Sequence, residues 1–251
     1  MARVVMVHGA FNELWGPNEL KARWLPALRD GLWHHGATVA DDDVAVCFYG
    51  DLFRLDPETL DEAEWNRTRA GMADMLSNLG GAASLDTLSQ AANDAAWDRT
   101  VDMVAILATD PTVRERGLQR FLDVVGDDTR VVIAHSLGTV VSYQVLAAHP
   151  EIELDLFVTV GSPLGTKMVE DILSPPLVDG KGAWPGSVKR WLNVASVGDR
   201  ATGTGRLADR FGERVQDRRI DNGHRAHDPE PYLNSAVTGE AVAQALAQAL
   251  A

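Results

Sequence analysis

The chain holds one cysteine, Cys47, in 251 residues. An intramolecular disulfide is thereby excluded, and so sparse a use of cysteine suits a reducing compartment. No apolar run approaches the ~18 residues of a membrane span. The apolar stretch at Val4 to Val7 is too short for the core of a secretory leader, and His8 and Gly9 follow it at once. Basic residues are outnumbered as well: 23 Lys and Arg stand against 36 Asp and Glu, a formal net charge of −13. That balance argues against nucleic acid, or an anionic membrane surface, as the main partner. Internal repeats and low-complexity linkers are missing. The expectation is a soluble, cytoplasmic protein.

What is present is ample apolar material, 45% of the residues, enough for a sizeable core without disulfides or metals. A single elaborated domain over residues 1–251 is expected. Short β-branched runs mark strands over 3–7, 44–49, 131–135, 156–160, 188–195 and 214–220. Helical spacing marks 18–35, with Pro26 inside it as a kink or a later start, then 137–148 and a last helix from about Ser235. Asp41, Asp42 and Asp43 form the densest acidic run and read as a solvated turn before a strand. Strands alternating with helices predict an α/β fold with about six mainly parallel strands flanked by helices.

Residues 51–128 depart from that alternation. Helical patterns fill 57–79 and 85–107. A third helix is expected to begin at Pro111 with Asp110 as its cap and to close at Gly126. This is more helix than one crossover needs. The surplus reads as an insertion: a cap over the carboxyl edge of the sheet, a structural extension, or a dimer interface.

The densest chemistry lies at Val131 to Tyr143, where a β-branched run enters Ala134-His135-Ser136-Leu137-Gly138 and then a helix. A strand, a one-residue apex and a helix whose first amides point back at the apex are what a nucleophile elbow requires. The plainer reading makes Ser136 the N-cap of an ordinary helix. A serine hydroxyl is a weak nucleophile unless a base touches it, and the base needs an acid to fix its tautomer. Asp199 follows the penultimate strand, and His224 and His227 follow the last. All of these fall at strand carboxyl ends, where function sits in such sheets. His135 reads as a packing residue facing away from the apex. Asp209, Asp217 and Asp221 compete with Asp199, but only Asp199 lies just past a clearly marked strand, 214–220 being the weakest of the strand patterns. The spacing His224-x-x-His227-Asp228 permits a metal reading, which lacks any second cluster. Gly203-Thr204-Gly205-Arg206-Leu207-Ala208 matches a dinucleotide fingerprint, yet no clear βα unit follows it.

His8-Gly9 after the first strand, the Ala134 to Gly138 elbow, Gly161-Ser162-Pro163, Asp199 and His227 together resemble the α/β-hydrolase superfamily. Within it they look like the lipase and serine-esterase branch that includes inositol-deacylase-like proteins. The resemblance covers nearly the whole chain and implies a minimal version of the fold, beginning at the family's third strand, with the helical insertion just before the elbow. It implies Ser136 as nucleophile, Asp199 as acid and His227 as base, with His224 as the alternative base. The amide of Leu137 and that of Ala10, or of Phe11 if the loop is shifted, would form the oxyanion hole. No metal or organic cofactor is required. The expected activity is hydrolysis of a small ester, with an apolar acyl group, through an acyl-enzyme on Ser136. A non-catalytic protein binding a small ligand or a protein partner on the same fold is the alternative, and an amide or peptide hydrolase with the same triad is the next.

Overall fold

The computed structural model describes residues 2–10, 12–54, 66, 103, 106 and 110–248. It contains a six-stranded sheet in the order β2-β1-β3-β4-β5-β6. The strands are β1 (Val4–Val7), β2 (Val44–Cys47), β3 (Val131–His135), β4 (Glu153–Val160), β5 (Ser187–Ser196) and β6 (Val215–Ile220). Every neighbouring pair is parallel. The helices are α1 (Pro17–Trp33), α2 (Pro111–Leu122), α3 (Leu137–Ala148), α4 (Ala208–Phe211), α5 (Pro229–Leu233) and α6 (Ala236–Gln248).

Both faces of the sheet are covered, which explains why its central strands are continuously apolar rather than alternating. All residues of β1 are fully buried. Val4 and Met6 belong to one core with Trp24 and Leu28 of α1 and Val242 and Leu246 of α6. Val5 and Val7 belong to the other core, with Phe121 of α2 and Val140 and Tyr143 of α3. Each such side chain contributes about 1.5–3 kcal/mol by leaving water. On the first face α1 and α6 meet at backbone contact. A Cβ added at Gly239 would lie 1.9 Å from the Gly31 carbonyl oxygen, so only glycine lets the two helices come this close.

Local signals set most boundaries. Asp110 caps α2 as expected, its Oδ1 accepting from the amides of Thr112 at 2.8 Å and Val113 at 3.1 Å. The helix stops at Leu122, short of Gly126. α1 runs straight through the Pro26 position. Pro26 stands on the exposed side, where water can serve the carbonyl its ring leaves unbonded. β4 starts at Glu153, earlier than its apolar run, because residues from Glu153 onward pair with β5 from Ser187. Asp41–Asp43 is a short 3-10 turn leading into β2, with Asp41 and Asp42 exposed. Among the described residues, no helix is long and apolar enough to cross a membrane.

The helical patterns expected over 57–79 and 85–107 lie almost wholly outside the described residues. Within the second, Met103 and Ile106 are helical and buried against the core that holds Phe121 and Val5.

The strand order reverses at β1, since β2 lies on one side of it and β3 on the other. In open parallel sheets such a reversal splays the loops at the carboxyl ends of the two central strands and opens a crevice between them. The loop after β1 and the turn after β3 flank that crevice.

Candidate active site

Ser136 is the apex between β3 and α3, with φ 51° and ψ −125°. A non-glycine residue in so sparsely populated a region costs about 1–3 kcal/mol, which the surrounding structure must over-determine. It does so through the main chain. The Ser136 amide donates to the Val160 carbonyl at 3.0 Å, and its carbonyl accepts from the Thr139 amide at 2.9 Å and the Thr139 hydroxyl at 2.7 Å. The side chain makes no capping bond to α3, so Ser136 is not an ordinary N-cap, and its hydroxyl is directed elsewhere.

Its partner is His227. His227 Nε2 lies 3.0 Å from Ser136 Oγ, and Nδ1 lies 2.9 Å from both carboxylate oxygens of Asp199. Asp199 opens a 3-10 turn just after β5, and its Oδ1 also accepts from the Ala201 amide at 3.0 Å. Asp199 therefore caps its turn and faces the histidine at once. The Asp199 side chain is fully buried and the His227 side chain is 36% exposed, which leaves the imidazole open to the site and shields the carboxylate. Burial pushes the Asp199 carboxyl up, but hydrogen bonds and charge from His227, with further bonds from Tyr232 and Ala201, outweigh it and hold it below its ordinary value.

His224 is not part of this chain of contacts. It is exposed in the 3-10 turn Gly223–Arg225. Asp217 serves a different purpose: it accepts from the amides of Leu207 and Ala208 and from Asn193 Nδ2, fixing the entry to α4. Gly203 and Gly205 are positive-φ turn residues between Asp199 and that short helix, which is only four residues long. Among the described residues there is no cluster of His, Cys, Asp or Glu that could hold a metal ion.

The glycines around the elbow serve contacts with the end of β1. Gly138 does not spare a clash between β3 and α3. A Cβ there would lie 2.4 Å from the His8 carbonyl oxygen and 2.7 Å from that of Val7, so Gly138 brings α3 against the end of β1. Gly9 brings the loop after β1 to Ser136, because a Cβ on it would lie 2.6 Å from Ser136 Cβ.

That loop is held by groups the sequence did not advertise. Asn12 Nδ2 donates to the carbonyls of Gly9 at 3.1 Å and Ala10 at 2.8 Å. The fully buried His8 accepts at Nε2 from the Tyr49 amide, 3.1 Å away, so its proton sits on Nδ1 and goes to the Gly9 carbonyl at 2.7 Å. The Tyr49 hydroxyl donates to the His8 carbonyl, and the two rings stack at 4.2 Å. Desolvation lowers the His8 pKa to about 4, so this brace is neutral. Leu137 is the first residue of α3, where amides have no intrahelical partner. Ala10 is buried beside Gly9. Phe11 lies outside the described residues.

His135 does not face away from the site. Its ring lies 4.8 Å from that of His227, and its Nε2 donates to the His227 carbonyl at 2.8 Å. Burial and the nearby His227 depress it to about 3. Neutral and buried, it supports the loop that carries His227 and has no contact that would make it a base.

The fold defines an α/β protein whose strand-end loops converge on a hydrogen-bonded serine, histidine and aspartate. No protein-family model matches the chain, and no curated protein matches it.

Proposed function

We propose that this protein is a serine hydrolase of the α/β-hydrolase superfamily, of esterase or lipase type. The observation that carries the proposal is the contact of His227 with Ser136 Oγ at 3.0 Å on one ring nitrogen and with Asp199 at 2.9 Å on the other. The strained apex, the strand order and the Ser…Asp…His order along the chain support the same reading. His227 takes the Ser136 proton as Oγ attacks an ester carbonyl, and Asp199 stabilises the imidazolium that forms. The tetrahedral oxyanion is met by the Leu137 amide and by that of Ala10, one such donor being worth roughly 3–4 kcal/mol. His227 then returns the proton to the departing alkoxide. Water, deprotonated by the same imidazole, releases the acyl group from Ser136.

The substrate is a small ester with an apolar acyl group, a preference that rests on the Trp, Met and Leu content of residues 51–128. A reducing, cytoplasmic setting suits the buried free thiol of Cys47. The test is labelling by a fluorophosphonate probe with hydrolysis of p-nitrophenyl esters. Ser136→Ala and His227→Ala should abolish turnover, and Ser136→Ala should also abolish labelling, while His224→Ala stays near wild type. A folded wild-type protein that refuses the probe at neutral pH refutes the proposal, and loss of activity only in His224→Ala refutes the choice of base.

A further inference from the structure

Thr139 stands in the first turn of α3 and Ser162 in the turn after β4, and both side chains are buried. The Thr139 hydroxyl lies 2.7 Å from the Ser136 carbonyl oxygen and 2.8 Å from Ser162 Oγ. The Leu164 amide lies 3.2 Å from the same Ser162 Oγ. These distances fix the direction of every proton. A carbonyl oxygen carries none of its own, so the bond to Ser136 uses the single proton of Thr139. Ser162 must then donate to Thr139 Oγ1, while it accepts from the Leu164 amide, which can only donate. The protons run one way, from Leu164 through Ser162 and Thr139, and end on the Ser136 carbonyl.

We propose that Thr139, backed by Ser162, is a positioning residue that aims the Leu137 amide at the oxyanion; the inference rests on the proposed function for its kinetic meaning. The Ser136 carbonyl and the Leu137 N–H belong to one planar trans peptide unit, in which the two bonds point in opposite directions. Gripping the carbonyl therefore aims the N–H. The Thr139 amide also donates to this oxygen, at 2.9 Å, but that bond lies within the start of α3 itself. The hydroxyl chain ties the same oxygen to a second element, the turn after β4. With two donors on it, the oxygen has both lone pairs occupied. The grip matters here because Ser136 is held at φ 51°, ψ −125°, and ψ is the torsion that rotates this peptide unit. Relaxing the strained apex would swing the Leu137 N–H, and the hydroxyl chain opposes that swing. Because the chain is buried, its bonds also polarise one another, which makes the N–H at its far side a stronger donor.

The test is Thr139→Val, which keeps the shape and removes the proton, beside Thr139→Ser, which keeps the hydroxyl. Two ketones carrying the same alkyl chain separate aiming from general damage. On a trifluoromethyl ketone, Ser136 Oγ adds to the carbonyl carbon, its proton passes to His227 Nε2, and the carbonyl electron pair becomes an oxyanion that needs the Leu137 N–H. The parent methyl ketone binds without that addition. Thr139→Val should weaken the trifluoromethyl ketone by about 3- to 10-fold and lower kcat for esters by the same factor, the range for one neutral hydrogen bond. Affinity for the methyl ketone and KM should stay at the wild-type values, and Thr139→Ser should restore both losses. The carbon-13 signal of the Ser136 carbonyl should move upfield in Thr139→Val, as it does when a carbonyl loses a donor. If the stranded Ser162 proton prevents Thr139→Val from folding, the double variant with Ser162→Ala removes both groups and reads the same effect. An unchanged trifluoromethyl ketone affinity, a loss shared equally by the methyl ketone, or no rescue by serine overturns the inference. Failure of the proposed function is distinct: the wild type then takes neither the fluorophosphonate nor the trifluoromethyl ketone. The carbonyl signal still reads the grip in that case, and an unmoved signal overturns it.

Discussion

Two buried histidines make the protein sensitive to mild acid. His8 and His135 are neutral in the fold, held down to about 4 and about 3 by burial, whereas an unfolded chain gives each a value near 6.5. Between those limits the unfolded state binds more protons than the folded one, so stability rises with pH there. The contribution of each group is fully present above its unfolded value. It is lost as the pH falls from about 6.5 toward the folded value. From pH 7 to pH 5, each should cost about 2 kcal/mol, so the pair should cost about 4 kcal/mol. A domain typically holds only ~5–15 kcal/mol in all, so the loss is large. Carboxylates held low, such as Asp199, add their loss only as the pH drops below the ordinary carboxylate range, which keeps the two effects apart. Urea unfolding at pH 7, 6 and 5 at fixed ionic strength reads the dependence. His135→Gln retains a nitrogen that can donate to the His227 carbonyl but cannot be protonated, so its loss over the same window should be smaller than wild type by about 2 kcal/mol. Comparing the two chains cancels every other histidine. Equal losses in wild type and His135→Gln would refute the assignment of a neutral buried imidazole at 135.

Three further outcomes follow from backbone geometry. Ser136→Gly should be more stable than Ser136→Ala by about 1 kcal/mol in denaturant melts, because only glycine relieves φ 51°, ψ −125°; a more stable alanine variant would show that the apex is not strained. Gly239→Ala must push α6 off α1, since the new methyl would lie 1.9 Å from the Gly31 carbonyl oxygen, and a loss of at least about 3 kcal/mol is expected. A melting temperature within a degree of wild type would contradict the close crossing. Asp110→Ala removes the acceptor of two α2 amides and should cost about 1 kcal/mol, measured by chemical denaturation; no change would mean that the cap is replaced by solvent.

The parts of this protein that were legible in its sequence are those governed by neighbours along the chain. β-branched runs with both faces buried announced the strands, and Asp110-Pro111 announced the start of α2, because propensity and capping act over a few residues. The elbow belongs to the same class: apex, strand and helix occupy one short segment, so Ser136 could be placed without knowing anything distant. Boundaries that depend on pairing were less visible. The early start of β4 at Glu153 follows from the length of β5 opposite it, and no residue near Glu153 signals it.

The polar braces around the site show where local reading stops. Every buried tyrosine hydroxyl needs a partner, so the sequence could have flagged Tyr49 and Tyr232 as carriers of some hydrogen bond. It could not say that one secures the His8 carbonyl and the other Asp199, because those partners lie tens of residues away and meet only once the sheet is assembled. Gly138 illustrates the same point for packing. Its small size was legible, but its reason was not: it faces the end of β1, a strand far upstream that the turn itself does not contain. Along the chain His135 is only the residue before the apex, yet its role is set by the distant carbonyl of His227. A motif therefore identifies which serine can be the apex, whereas the groups that hold His227 and Asp199 against it are contributed by the topology, and substitutions at those groups are where the proposed chemistry is most directly tested.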